Sequence, residues 1–244
     1  MIQFRHTLLP LFAFRSKGSI PTNARDIRYV GVSYHFNDQG DIATCAHIVN
    51  SLQEGETLMA VEMHGASLTY PVDNLQCHPK HDFAIGNVRR RDYRVVPISD
   101  QPEVFIGSDV MAYGFTTAGL IEERQVTMPR LFKGHIVRTH PTPTLPVARS
   151  TCEVSFPSYS GFSGTPLLFD HRKTCIAGML YGNYESTITL HKHTEVDDAG
   201  SKYSEEIHRV VELGAAHTAP DIRAFLDDMG ITRIALASSR EGSD

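Results

Sequence analysis

Apolar and polar positions along this chain alternate in short runs broken by turn residues. Arg28–Phe36, Ile42–Val49, Thr57–Met63, Phe83–Val88, Asp109–Phe115 and Leu131–Arg138 are such runs, rich in valine, isoleucine, threonine and tyrosine. Val147–Val154, Pro166–Phe169, Cys175–Tyr181 and Ser186–His191 continue the pattern. Each predicts a strand, and Asn37-Asp38-Gln39-Gly40 reads as a hairpin turn. Many short strands with turns between them predict an all-β sandwich or barrel. Helical periodicity is clear only near the end. Thr218-Ala219-Pro220-Asp221 supplies a cap residue, an early proline and an acidic first turn. Ile222, Phe225, Leu226 and Met229 follow at helical spacing and Gly230 closes the stretch, which predicts a helix over 218–230 docked by one apolar stripe. Residues 231–244 read as a tail, small and polar from Ala237 onward.

Composition narrows the function classes. A 244-residue chain can bury a sizeable core, and a net charge of −5 argues against a nucleic-acid or anionic-membrane partner. The dense basic run Arg89-Arg90-Arg91 is followed at once by Asp92, the pattern of a solvated loop. No stretch approaches the roughly 20 apolar residues of a membrane-spanning helix. The apolar segment Leu8–Phe14 is interrupted by Pro10, and no Ala-x-Ala pattern follows. Residues 1–26 therefore read as an irregular leader packed outside the domain, and the location as cytoplasmic rather than exported. Cys45, Cys77, Cys152 and Cys175 are too few for a disulfide framework in this length and form no Cys-x-x-Cys pair. Reduced thiols are the expectation, with a Cys152–Cys175 pair left open.

Three segments carry chemistry. Ala43-Thr44-Cys45-Ala46-His47 is a strand running into a histidine. His78-Pro79-Lys80-His81-Asp82-Phe83-Ala84-Ile85 places an aspartate before an apolar strand, and Tyr159-Ser160-Gly161-Phe162-Ser163-Gly164-Thr165-Pro166 sets a serine among glycines. A serine hydroxyl needs an adjacent base, imidazole titrates near neutral pH, and a carboxylate fixes its tautomer and stabilises the imidazolium. Alone, each residue has an ordinary structural role; it is the joint arrangement that signifies. The order His, Asp, Ser differs from that of subtilisins and α/β-hydrolases, and Gly-Phe-Ser-Gly-Thr lacks the second glycine of a nucleophile elbow.

Together these segments resemble the trypsin/chymotrypsin-like serine peptidases, particularly compact bacterial and viral members, over roughly residues 27–230. The resemblance implies a fold of two antiparallel six-stranded β-barrels, at 27–115 and 116–217, with the C-terminal helix outside. It implies a cleft between them holding His47, Asp82 and Ser163, an oxyanion hole from the backbone N–H groups of Gly161 and Ser163, a protein or peptide substrate, and no metal or cofactor. Pro157, Ser158, Tyr159, Met179, Leu180, Tyr181 and Gly182 would line the specificity pocket and pair with substrate. With no carboxylate at Pro157, cleavage after apolar residues is expected. Phe162 stands where digestive relatives carry an aspartate that pairs with a new N-terminus, so that activation switch is not expected. Cys45 precedes the histidine by two, so the usual histidine-loop disulfide is unsupported.

Two alternatives stay open at this point. One is a peptide-binding module that keeps the fold without turnover. The other is metal binding by His191-Lys192-His193, whose imidazoles share a strand face with Glu195, Asp197 and Asp198 following, or by His78-x-x-His81. A polar surface hairpin is the expected reading of the former, and the His78-x-x-His81 spacing is not that of His-Glu-x-x-His and has no evident third ligand.

Overall fold

The computed structural model describes residues 7–15, 27–62, 68–90, 93–101, 103–121, 124–140, 151–169, 174–196 and 201–237. The first half contains β1 (Leu8–Arg15), β2 (Ile27–His35), β3 (Asp41–Thr44), the short helix α1 (Ala46–Asn50), β4 (Glu56–Glu62), β5 (Leu68–Pro71), β6 (Asp73–Cys77) and β7 (Ala84–Asn87). The second contains β8 (Ile98–Ser99), β9 (Asp109–Ile121), β10 (Arg124–His140), β11 (Thr151–Val154), β12 (Pro166–Phe169), β13 (Ile176–Val196), β14 (Lys202–Thr218), helix α2 (Ala219–Asp228) and β15 (Leu236–Ala237). Expected strands appear, with longer bounds for β9, β10 and β13. The part of Val147–Val154 before Thr151 lies outside the described residues.

The first sheet has the order β5-β4-β1-β2-β3-β7-β6, with every pairing antiparallel. In the second, β12 pairs with both β9 and β13, so β12, β9, β10, β11, β14 and β13 pair in a ring. The two-residue strands β8 and β15 extend it by parallel pairing from β13. The expected all-β fold with a C-terminal helix is therefore present. Among the described residues the first sheet has seven strands, and the second has the six of the ring with β8 and β15 added at its edge.

Several boundaries move. Residues 8–15 are not an external leader: β1 is an interior strand between β2 and β4, buried from Leu8 to Phe14. Pro10 is tolerated because Val32, its partner, directs its backbone groups to the other side of β2. The sheet change falls before β8 and β9 rather than at residue 115. The stretch after α2 is not a loose tail as far as Ala237, because the Ala235 N–H donates to the Phe36 carbonyl and β15 pairs with β8. Residues 238–244 lie outside the described part.

Two cores result. One lies on the first sheet and takes in Phe225, Ile222 and Leu226 of α2, together with Met179; the other fills the ring, around Phe162, Leu167, Ile136 and Leu180. The Thr218 N–H and hydroxyl both donate to the Asp221 carboxylate, which caps α2 at its first turn.

The burial of Leu8, Leu9, Leu11, Phe12 and Phe14 contributes roughly 7–15 kcal/mol, at about 1.5–3 kcal/mol per side chain. That matches the whole net stability of a typical domain. Removing residues 1–15 should therefore abolish the cooperative thermal unfolding transition seen by circular dichroism. A truncated chain that still melts cooperatively would return this segment to the status of a leader.

Candidate active site

β3 ends at Thr44, whose hydroxyl donates to the Val32 carbonyl at 2.7 Å. The expected strand through Val49 stops there. A single turn, α1, buries Ala46 and Ile48 and leaves the His47 ring half exposed. Asp82 leaves the His78–His81 turn, where the His78 ring nitrogen Nδ1 accepts from the N–H groups of Lys80 and His81 at 3.2 Å. The His78 N–H reaches the Phe83 carbonyl at 2.8 Å. This turn aims the carboxylate at α1. Asp82 Oδ1 accepts the His47 backbone N–H at 2.8 Å, and Oδ2 lies 2.6 Å from His47 Nδ1.

An ionised carboxylate only accepts, so Nδ1 carries the proton and the Nε2 lone pair is left free to act as a base. Burial pushes the Asp82 carboxyl up, but the side-chain and backbone hydrogen bonds from His47 and the His47 charge outweigh it and hold the group below its ordinary value. Behind Asp82 sits buried His217. Its Nε2–H donates to the Asp82 carbonyl at 3.2 Å, and its ring stacks on Tyr181 at 4.5 Å and meets the edge of Phe225 at 5.2 Å. Phe225 also stacks on His81 at 4.3 Å. The C-terminal helix thus buttresses the aspartate turn.

Ser163 lies on the turn after Tyr159, where the Phe162 N–H donates to the Tyr159 carbonyl at 2.8 Å and the Thr165 N–H to the Phe162 carbonyl at 3.0 Å. Gly161 and Gly164 take φ of 93° and 84°. A Cβ on Gly164 would stand 2.0 Å from the Val32 carbonyl oxygen, so both backbone geometry and space demand glycine. The Ser163 carbonyl accepts the Val32 N–H at 2.9 Å. The Gly164 N–H donates to the Leu180 carbonyl at 2.8 Å, and the Leu180 N–H to the Thr165 carbonyl at 2.9 Å. The N–H groups of Gly161 and Ser163 make no hydrogen bond among the described residues, nor does the Ser163 hydroxyl to His47. In sites of this kind that last bond often tightens only with substrate present.

The model of the trypsin-like peptidase domain matches residues 31–178. The chain belongs to the trypsin-like peptidase family. Similar solved structures include the MamO protease domain from Magnetospirillum magneticum, at 14% identity over 90% of this chain and 95% of that one, with a TM-score of 0.57. The active form of the Rv3671c protease from M. tuberculosis is 15% identical over 94% of this chain and 83% of that one, with a TM-score of 0.60. The HtrA-type protease AlgW with a decapeptide is 13% identical over 93% of this chain, with a TM-score of 0.58; the chain spans 64% of AlgW. At these identities the likeness is one of fold. No curated protein matches the sequence.

Within this family Phe162 is informative. It is fully buried in the second core, edge-on to Phe132 at 5.3 Å. The Tyr29 hydroxyl lies 2.6 Å from the Gly161 carbonyl and 2.9 Å from that of Phe115, and its proton serves one at a time. Apolar packing and a tyrosine hold the serine turn where an ion pair would hold it in digestive relatives.

The expected pocket residues divide. Pro157, Ser158 and Tyr159 directly precede the serine turn, and Tyr181 and Gly182 follow Leu180, whose backbone bonds to Gly164 and Thr165. The side chains of Met179 and Leu180 are completely buried in the two cores, which removes them from any open lining. Sequence reasoning missed Asn183, whose side-chain oxygen accepts the Ser158 N–H at 2.6 Å and whose amide donates to the Ser158 carbonyl at 2.9 Å. It also missed Tyr29 and His217, which carry no local signature.

All four cysteines are free. Cys45, His47 and Asp82 bring their ligand atoms within 4.8 Å of one another. However, Asp82 spends both oxygens on His47, and burial pushes the Cys45 thiol well above its ordinary value. His191 and His193 do stack on one face of an exposed hairpin, at 6.3 Å, and His193 pairs with Glu195 at 3.0 Å. Among the described residues these two make no three-ligand cluster.

Burial lowers His217 and His35 from 6.5 to about 4. Both rings are therefore neutral in the fold, whereas the unfolded chain takes up protons as pH falls through 6.5. Carrying a proton costs each ring about 3 kcal/mol more in the fold. Stability is full above pH 6.5 and falls as pH drops towards 4. Around His217 the titratable neighbours are Asp82, His81 and His78. Thermal melts from pH 7.5 to 4 should show this loss, and His217→Gln should make it shallower. An unchanged acid dependence in the variant would contradict the buried neutral ring.

Proposed function

We propose that the chain is a serine endopeptidase acting through Ser163, His47 and Asp82, with preference for cleavage after apolar residues. The observation that carries the reading is the His47–Asp82 pair at 2.6 Å, with His47 three residues beyond Thr44, whose hydroxyl bonds to the same β2 residue, Val32, as the carbonyl of Ser163. In this reading Ser163 Oγ bonds to the peptide carbonyl carbon while His47 Nε2 takes the hydroxyl proton. The oxyanion faces the Gly161 and Ser163 N–H groups, and one such donor contributes on the order of a hundredfold in rate. The C–N bond then breaks as His47 returns the proton to the leaving amine. Water attacks the acyl-enzyme by the reverse roles, releasing the acid and restoring Ser163.

Specificity follows from the walls that remain open. Tyr159 is 43% exposed and stacks on Phe132 at 5.4 Å, with the Arg130 guanidinium 5.6 Å from its ring. An aromatic wall with a cation behind it suits an apolar side chain and disfavours Lys or Arg. Burying such a side chain is worth about 1.5–3 kcal/mol, roughly a ten- to hundredfold preference. The similar HtrA-type protease AlgW was solved with a decapeptide and with a tripeptide, which supports a peptide substrate here.

Cleavage of a mixed peptide library should occur after apolar residues, and Ser163→Ala should remove it, by up to about a millionfold in kcat, while keeping the thermal midpoint. Near-native turnover by the variant would overturn the assignment, and dominant cleavage after Lys or Arg would overturn the pocket. Peptide binding with no turnover in the wild-type chain would favour the non-catalytic module.

A further inference from the structure

β13 and β14 leave the body of the protein together and run as a two-stranded ribbon to a tip where Val196 pairs with Lys202. Residues 183–195 and 202–210 are exposed throughout. Cross-strand pairs fix which side chains share a face. Tyr184 pairs with Leu213, Ser186 with Val211 and Ile188 with Arg209; nearer the tip His191 pairs with Ile207, His193 with Glu205 and Glu195 with Tyr203. The bulge between Thr189 and His191 takes up one residue, Leu190, so this face continues in step along the ribbon. The contacts agree. His191 and His193 stack along it at 6.3 Å, whereas Thr189 meets His208 at 3.2 Å and Lys192 meets Glu206 at 2.5 Å on the other side.

The two faces differ in chemistry. The side of Thr189, Lys192, Glu206 and His208 is polar apart from Val210. The other exposes Tyr184 at 43%, Ile188 at 49%, Ile207 at 52% and Tyr203 at 62%. A lone two-stranded ribbon is marginally stable in water, and more strands packed on an apolar face make it secure. A row of exposed large apolar side chains marks an interaction surface.

The occupant is written in β14. Along this face its residues read Tyr203, Glu205, Ile207, Arg209 and Val211: apolar, acidic, apolar, basic, apolar. That order is self-complementary about Ile207. A two-fold axis crossing the strand at Ile207 lays Glu205 of one copy over Arg209 of the other, Tyr203 over Val211, and Ile207 over itself. Stacking in the same direction would set like charge on like. Among the described residues Glu205 and Arg209 enter no ion pair or hydrogen bond, so both charges are available to a second copy.

We propose that the ribbon is a dimerisation arm, which packs this face antiparallel on the same face of a second copy of the chain. Two ribbons about 10 Å apart then form a small four-stranded sandwich, and the two-fold axis closes the assembly at a dimer. The proposal goes beyond the peptidase reading and does not depend on it, since none of these residues belongs to the candidate site.

Sedimentation velocity of the full chain across the micromolar range tests it. The wild type should show a concentration-dependent dimer. Ile207→Glu sets two like charges on the axis and should weaken that dimer by on the order of a hundredfold. Arg209→Glu and Glu205→Arg should each weaken it by roughly tenfold or more. The chain carrying both changes restores opposite charges across the axis and should return to within about threefold of the wild type. Thermal midpoints of the dilute monomers should agree, because all three positions are exposed. A wild type that stays monomeric throughout would overturn the proposal, as would a dimer indifferent to every variant or a double variant no better than the single ones. A monomer that floats with phosphatidylglycerol vesicles, and ceases to in Ile207→Glu, would also overturn it and give the face to a lipid surface.

Discussion

One residue of the first sheet joins the two halves of the candidate site. Val32 gives its N–H to the Ser163 carbonyl at 2.9 Å and its carbonyl to the Thr44 hydroxyl at 2.7 Å, three residues before His47. His47 follows a strand of the first sheet and Ser163 precedes a strand of the second, and this one residue is bonded to both segments. The seam tolerates nothing larger than glycine at 164, where a Cβ would collide with the same carbonyl. Val32 can serve the site because β1 holds β2 from the other side with Pro10 opposite, which has no N–H to contribute.

Around this seam the protein uses apolar packing. Phe162 anchors the serine turn in the second core, and Tyr29 holds the Gly161 carbonyl from the first sheet. Asp82 is held by hydrogen bonds from His47 and backed by His217, kept neutral by burial, with Phe225 of α2 packed behind. The helix at the end of the chain thus supports an aspartate 143 positions earlier. A neutral buttress does not compete for the carboxylate's charge, which leaves it to His47. The same neutrality ties the fold's stability to pH, since the unfolded chain takes up the protons that the fold refuses.

Much of this was legible in the sequence, for identifiable reasons. His47, Asp82 and the Gly161–Gly164 turn sit in segments whose residue types are fixed by chemistry and sharp turns, and those signals are local. The C-terminal helix was legible because its cap, proline and apolar stripe lie within one short stretch. β1 was not, because an apolar run with a central proline reads as a leader until its partner shows that position to need no N–H. β14 was missed because its outer half, Lys202–Val210, is exposed on both faces and has no alternation to read. Met179 and Leu180 were placed in the pocket by resemblance, yet a strand shared between two cores buries successive side chains on opposite faces. Tyr29 and His217 act across 132 and 135 positions, and no window along the chain contains both partners.

The central claim is that Ser163 is an activated nucleophile in the intact chain. It is tested most directly by treating the untrimmed protein with a fluorophosphonate probe at neutral pH and mapping the adduct by mass spectrometry. The account predicts one adduct per chain, on Ser163, lost in His47→Ala. No adduct on Ser163, or an equal adduct in the His47→Ala chain, would contradict it.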